Sequence, residues 1–319
     1  MIVATGFFDG VHLGHRQVIR QLVETAAARG DESMVLTFWP HPRTVLQDDA
    51  RSLRLLSTLA EKKELLTELG VDHVEVLPFS REFSRWTARE YLEEVVIGRY
   101  GGRAILLGYD NRLGSDGLAP EAIARLAASL GLDVIRPECV AAPGAAPSRR
   151  DASSLRGPGP LRCGNARRSL APDAAISSTR IRKELEEGRV EEAAAMLGYP
   201  YRLHGVVVAG NRLGRTIGFP TANMQLYEPL KLVPANGVYQ VKVETLGQTF
   251  TGMCNIGVRP TVGAGNARTI ETNIFDFDED IYGLDLTISF IRKVRDERRF
   301  DSLDDLRAQL ERDREFCFQ

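Results

Sequence analysis

Two histidines stand three residues apart in Gly6-Phe7-Phe8-Asp9-Gly10-Val11-His12-Leu13-Gly14-His15, where a short apolar run gives way to helical spacing. A strand-to-helix turn presents free backbone N–H groups and the positive end of a helix dipole, and both suit phosphate. Gly10 and Gly14 let the backbone approach a ligand closely. The chain has only five histidines, so two in one such turn read as a single constellation. His12 and His15 can reach one phosphate chain and stabilise charge at its α-phosphorus. A second stretch, Ile176-Ser177-Ser178-Thr179-Arg180-Ile181-Arg182, places Ser and Thr ahead of a helical run, the pattern of an N-cap. Arg180 and Arg182 add cationic donors for a triphosphate at the same helix start.

Two further stretches lie in the second half. In Gly210-Asn211-Arg212-Leu213-Gly214-Arg215-Thr216-Ile217-Gly218-Phe219-Pro220-Thr221-Ala222-Asn223 glycine recurs every four residues. It matches neither Gly-x-Gly-x-x-Gly nor a P-loop, yet its backbone N–H groups can wrap a phosphate. Thr221 and Asn223 offer oxygen ligands to Mg²⁺, a hard cation that keeps waters and substrate phosphates in its shell. In Arg268–Phe277 a strand carries one carboxylate, Glu271, on the face shared by Thr269 and Asn273. A hydroxyl nucleophile benefits from a nearby base, and Glu271 is the candidate. The preceding Asn255-Ile256-Gly257-Val258-Arg259-Pro260-Thr261 supports an organised site there.

The elements that position these groups fall into two grammars. Up to residue 138, short apolar runs alternate with helical patterns. Strands are expected at Ile2–Thr5, Met34–Phe38, His73–Leu77, Ala104–Leu107 and from Val134. Helices are expected at His15–Arg29, Ala60–Leu69, Ala88–Ile97 and Pro120–Leu130. This alternation predicts a parallel sheet with helices on both faces and ligands beyond the carboxyl ends of its strands. Helical spacing returns at Ser178–Glu187 and Val190–Leu197. Strands without intervening helices then follow at Leu203–Ala209, Val238–Thr245, Phe250–Asn255, Thr269–Phe275 and Leu284–Ile291, the signature of an antiparallel sheet or small barrel. An amphipathic helix through Leu303, Leu306 and Leu310 ends the chain.

Composition excludes several classes. With 41 Lys+Arg against 43 Asp+Glu among 319 residues, a nucleic-acid binder that works by phosphate neutralisation is not expected. No run of about 18 apolar residues predicts a membrane span, and the N-terminus lacks the basic and cleavage regions of a secretion signal. Cys139, Cys163, Cys254 and Cys317 are too scattered for a zinc site and read as reduced thiols of a cytoplasmic protein.

The His-x-Gly-His segment resembles the signature of the nucleotidyltransferase superfamily, whose members transfer AMP or CMP to a phosphate. That acceptor is already ionised, so positioning and charge stabilisation suffice. Taken with Ser-Ser-Thr-Arg-Ile-Arg, Gly-Phe-Pro-Thr-Ala-Asn and Asn-Ile-Gly-x-Arg-Pro-Thr, in this order, the chain resembles the bacterial bifunctional riboflavin kinase/FAD synthetases, also called riboflavin kinase/FMN adenylyltransferases. The resemblance implies an α/β plus β architecture. Residues 1–182 would form a Rossmann-like FMN adenylyltransferase domain that includes a connector at 141–175. Residues 183–319 would form an antiparallel β-barrel riboflavin kinase domain with a terminal helix. The partners it implies are riboflavin, FMN, FAD and ATP, with Mg²⁺ as cofactor, and no nucleic acid or membrane. Carried over by position, Gly6, Phe8, Asp9, His12, Gly14, His15, Ser178, Thr179 and Arg182 would bind ATP for adenylyl transfer. Gly210, Gly214, Arg215, Gly218, Phe219, Pro220, Asn255 and Arg259 would bind nucleotide and flavin in the kinase. Thr221 and Asn223 would hold the metal, and Glu271 would activate the ribityl hydroxyl.

The chain departs from that pattern at Leu113, where an aromatic is usual, at Ser115-Asp116-Gly117, where a basic loop is usual, at Asn273 in place of histidine, and at the 141–175 insert. All but Asn273 fall in the first module. The alternative reading is therefore an active kinase joined to an impaired adenylyltransferase.

The 141–175 stretch is rich in Pro, Gly and Ala, carries Arg149, Arg150, Arg156, Arg162, Arg167 and Arg168, and almost lacks large apolar residues. It cannot bury enough surface to offset its ordering entropy. Replacing 141–174 by a short Gly/Ser linker is expected to leave FMN production unchanged and FAD production unchanged or improved. Trypsin is expected to cut first between Arg149 and Arg168; resistance there while the rest is digested would mean packed structure.

Overall fold

A computed structural model describes residues 1–46, 53–108, 112–136, 176–210, 213–260 and 266–319. The 141–175 connector lies outside them, as do Tyr109, Asp110, Asn111, Asn211, Arg212 and Thr261. In chain order the first half runs β1 (Ile2–Thr5), α1 (Leu13–Arg29), β2 (Ser33–Trp39), α2 (Pro42–Leu46), α3 (Leu59–Glu68), β3 (His73–Pro78), α4 (Ala88–Glu90), a π-helical turn (Tyr91–Arg99), β4 (Ala104–Leu106), α5 (Pro120–Ser129) and β5 (Asp133–Ile135). Every strand pairing is parallel, in the order β3-β2-β1-β4-β5.

The uninterrupted apolar run of β1 is explained by its place at the sheet centre, buried on both faces. Ile2 and Ala4 face α1 and α3, packing with Ile19, Leu22, Leu65 and Leu66. Val3 faces the opposite layer, with Leu92, Val96, Ile123 and Ala127. From β1 the chain winds out to β2 and β3, then crosses to β4. The strand order therefore reverses between β1 and β4, and the crevice beyond their carboxyl ends is where a ligand fits. The helix expected at Ala88–Ile97 is present, but past Glu90 it widens to π-helical bonding. Its first residue there, Tyr91, is buried with its hydroxyl 2.8 Å from Thr5 Oγ1. Apolar spacing alone does not distinguish these ladders.

The second half runs α6 (Ser178–Glu186), α7 (Val190–Leu197), β6 (Arg202–Val208), α8 (Leu213–Thr216), β7 (Ala222–Leu226), β8 (Gly237–Thr245), β9 (Gln248–Pro260), β10 (Asn266–Ile274), β11 (Asp285–Arg295) and α9 (Leu303–Cys317). The six strands close an antiparallel barrel in the order β10-β7-β6-β11-β8-β9. Of these only β7 went unpredicted. Its Ala-Asn-Met-Gln-Leu has weak strand propensity, and pairing on both sides, to β6 and β10, imposes the strand.

Alternation along the strands separates two surfaces. Tyr239, Val241, Cys254, Ile256, Ile270 and Ile288 fill the barrel. Val238, Met253 and Phe275 point outward and pack under α9 with Cys317 and Leu310. Helices α6 and α7 belong to the barrel's core, contributing Ile181, Leu185, Val190, Ala193 and Leu197. The two halves also meet along residues 53–57, where Leu55 pairs with Lys231 in a parallel bridge.

Candidate active sites

The first site lies beyond β1 and β4, in a cavity of about 780 Å³. The turn after β1 is forced into an unusual path. Phe8 and Val11 take φ of 48° and 34°, rare for bulky or β-branched residues, and Gly10 takes 77°. A Cβ on Gly10 would come to 3.0 Å of Leu56, and one on Gly6 to 3.1 Å of the Phe8 ring. What holds the turn is Asp9. Its buried carboxylate accepts from Leu56 N–H (3.1 Å), Ser57 N–H (3.0 Å), Ser57 Oγ (3.2 Å) and the Arg182 guanidinium. Asp9 lines the cavity, but its oxygens are taken by protein donors, which makes it an anchor of the site.

His12 caps α1, its Nδ1 accepting from His15 N–H at 3.4 Å. The two imidazoles stack with centroids 3.7 Å apart and planes 16° apart, and Gly14 leaves room beside the His12 ring. Burial, reinforced by His12 and Lys62, holds the His15 pKa well below its usual 6.5. Its buried Nδ1 has no hydrogen-bond partner among the described residues. Both observations favour the neutral form of the ring.

From the other end of the chain, the start of α6 closes the cavity. Ser177 caps the helix, Ser178 Oγ donates to the Asp9 carbonyl (3.1 Å), and Thr179 lines the wall. Arg182 also donates through Nε to the Arg54 carbonyl (2.7 Å). Arg180 points elsewhere, 4.0 Å from Glu184. Four groups escaped the sequence reading. His41, Arg43 and Arg112 line the cavity. Lys62 lies buried behind it, with Nζ 3.4 Å from Thr37 Oγ1 and its pKa pushed down to about 8 by burial. His41 follows the carboxyl end of β2, so the rule that ligands sit beyond strand ends would have found it.

The second site lies on the outer face of the barrel, in a cavity of about 410 Å³ roofed by Leu306 and Leu310 of α9. Glu271 on β10 stands directly opposite Asn223 on β7 and Asn255 on β9. Opposed residues of antiparallel strands share a face, so these three polar side chains converge. Asn273 donates to the Pro220 carbonyl (2.7 Å) and fixes the loop ahead of β7. That loop is tightly built. A Cβ on Gly214 would lie 2.2 Å from the Phe219 carbonyl oxygen, and one on Gly210 would lie 2.2 Å from the Asn223 amide. Gly218 takes φ of 83°.

A neighbouring cavity of about 400 Å³ is lined by Arg215, Pro220, Thr272 and Asp278–Tyr282. Thr221 lines both cavities and forms the wall between them. Arg259 lies near the end of β9, opposite Ala267 in register. No cluster of three or more His, Cys, Asp or Glu suited to a metal occurs among the described residues. Thr221 and Asn223 instead offer side-chain oxygens beside the Glu271 carboxylate, and the pair could hold a magnesium ion completed by phosphate and water.

An α/β site built for phosphate and a barrel site built around a carboxylate define a two-module phosphate-transfer enzyme. The FAD synthetase family matches residues 1–145, and the riboflavin kinase family matches residues 197–319. A bifunctional riboflavin kinase/FMN adenylyltransferase of Listeria monocytogenes is 34% identical over 98% of this chain and 90% of its own length. Those of Bacillus subtilis and Escherichia coli are each 33% identical over the same shares. A solved Streptococcus pneumoniae structure, described as a macrolide-efflux protein, superposes with a TM-score of 0.83 at 31% identity, covering 100% of this chain and 93% of that one. The chain belongs to the bifunctional riboflavin kinase/FMN adenylyltransferase family. No helix among its described residues is long and apolar enough to cross a membrane.

Two half-buried imidazoles carry a pH signature. His15 is held well below 6.5 and His41 is pushed down to about 4, both mainly by burial. As pH falls below 6.5, the unfolded chain takes up protons that the folded one refuses, so stability is lost toward the lower folded values. The thermal midpoint is expected to drop between pH 6.5 and 5, and less steeply in His41→Asn. A midpoint flat over that range would contradict imidazoles held neutral by their surroundings.

Proposed function

We propose that the barrel site phosphorylates riboflavin with ATP, and that the α/β site then joins FMN to AMP from a second ATP. The observation that carries the first step is Thr221, the wall between two cavities, beside the aligned Asn223 and Glu271. A flavin in the cavity under α9 and a nucleotide in the neighbouring one would meet at that wall. Glu271 accepts the proton of the ribityl hydroxyl as its oxygen attacks the γ-phosphorus and ADP leaves. Thr221 and Asn223 would hold Mg²⁺, which when bound offsets phosphate charge. Gly210, Gly214 and Gly218 bring the backbone against the nucleotide, and Arg215 supplies a cation. Phe219, Asn255 and Arg259 complete the flavin side.

In the α/β site the FMN phosphate is already an anion. Its oxygen attacks the α-phosphorus, the bond to the bridging oxygen breaks, and pyrophosphate leaves. No base is required there, which agrees with a site of donors: His12, His15, Thr179 and Arg182, with Lys62 adding positive potential from behind. Functionally the division falls at 182/183. Ser178–Arg182 complete the adenylyl site, although their helix packs on the barrel. Residues 1–182 thus serve adenylyl transfer and 183–319 serve the kinase. The alternative of an impaired first module is not favoured, because relatives match along both modules and Leu113 and Asp116 are built into the fold: Leu113 is buried and Asp116 accepts from Ala88 N–H at 3.1 Å. A cytoplasmic setting accords with the buried free thiols Cys254 and Cys317. The efflux role belongs to the description of the pneumococcal protein, and neither site here favours it.

Chromatography of riboflavin, FMN and FAD after incubation with ATP and Mg²⁺ tests both assignments. Glu271→Gln is expected to lower FMN formation about 10²–10⁴-fold while leaving FAD formation from supplied FMN intact. A rate within about threefold of wild type would remove Glu271 from the role of base. His12→Ala and His15→Ala are expected to do the reverse. Equal loss of both activities in a folded variant would mean that the two sites are not separate.

A further inference from the structure

We infer that Lys231, on the kinase side of the molecule, is a positioning residue for adenylyl transfer. Its side chain is buried at 3% exposure and crosses to the first module. There its ammonium donates to the Leu56 carbonyl at 2.8 Å and pairs with the Glu61 carboxylate. Backbone bonds flank it, from Leu55 N–H to the Leu230 carbonyl (2.8 Å) and from Leu232 N–H to the Leu55 carbonyl (2.9 Å). The Tyr201 ring lies 4.8 Å from the ammonium, and its hydroxyl donates to the Leu232 carbonyl. Segment 54–57 is thus a strap with two sides. On one side Lys231 and its neighbours grip it. On the other its Leu56 and Ser57 amides hold the Asp9 carboxylate, and its Arg54 carbonyl holds Arg182.

A buried ammonium is costly unless it is paired and its donors are used, so this charge is more than the module contact requires. Other links already join the halves: Tyr199 Oη donates to the Gly10 carbonyl at 2.7 Å, and Arg202 pairs with Glu64 at 3.2 Å. Lys231 differs from them in gripping the peptide unit whose amide holds Asp9. Glu61, its counter-ion, also caps α3 in a reciprocal capping box with Thr58, so the ion pair fixes where the strap ends and the helix begins. The adenylyl cavity is therefore complete only with the barrel's loop in place, and Arg182 takes its aim through the sequence Lys231, Leu56, Asp9. Lys231 itself lines neither active-site cavity.

The inference rests on the adenylyl site proposed above, and the test separates the two. Lys231→Met leaves Glu61 unpaired, so Lys231→Met/Glu61→Gln is made beside it to remove both charges and keep the helix cap. FMN formation from riboflavin, measured on the same full-length samples, is the internal check of folding. In the paired variant, kcat for FAD formation from FMN is expected to fall on the order of tenfold or more, since small misplacements are costly in such chemistry. FMN formation should stay within about twofold. Combined with Arg182→Ala, the paired change should lower FAD formation no further than Arg182→Ala alone, because both act through one contact. Unchanged FAD formation in the paired variant, a parallel fall of both activities, or additive losses with Arg182→Ala would overturn the role of Lys231. If Arg182→Ala itself leaves FAD formation unchanged, the site reading fails first.

Discussion

The Asp9 carboxylate is 5% exposed and accepts from two backbone amides, a hydroxyl and a guanidinium. An anion so far from water is tolerable only when its lone pairs are used. The requirement propagates outward. It fixes the strained turn that carries Phe8 and Val11 at positive φ. It holds segment 56–57 against the turn, and it draws in α6 from more than 160 residues away. The stacked histidines follow from that turn, since His12 caps the helix that begins where the strain ends. Strain of this kind persists only where the surroundings over-determine it, and here they do so with charge-assisted hydrogen bonds.

The barrel site rests on a different constraint, the two-residue period of strands. Glu271, Asn223 and Asn255 share the outer face because their strands are opposed in that register. Their sequence neighbours Thr272, Ala222 and Cys254 turn toward the interior. A slip of one residue would send the carboxylate inward and bring Thr272 out. Barrel closure protects the register, since no edge remains along which β7 or β10 can slide. The outer face would be wet without α9, whose Leu306 and Leu310 roof the cavity. The ion pair of half-buried Arg295 with buried Asp313 ties that helix to β11.

Much of both sites was legible in the sequence. The alternation of apolar runs and helical spacing determined a parallel sheet. The short strands after Tyr199 determined an antiparallel barrel, and the motifs placed the histidine pair, the Ser-Thr helix start and the carboxylate. These are local signals, set by backbone periodicity, by capping and by the geometry of a turn within about ten residues. The weak spots were those where tertiary pairing overrode propensity: β7, the π-helical turn at Tyr91, and α8 within the glycine loop.

Only the tertiary structure decided which of the motif residues line a cavity and which face one another. Asp9, read as a ligand-binding acid, is spent on Arg182 and the strap, whereas His41, Arg43 and Arg112, none of them assigned a role from the sequence, reach the cavity from the segments after β2 and β4. Lys62 and Lys231 belong to no motif in the sequence, yet both are buried, at 4% and 3% exposure. The reason is physical. Periodicity encodes which face of an element is apolar, but a buried charge is stabilised by partners distant in sequence. Lys231 finds Glu61 across 170 residues and Arg182 finds Asp9 across 173. Those pairings exist only once the two halves are packed together.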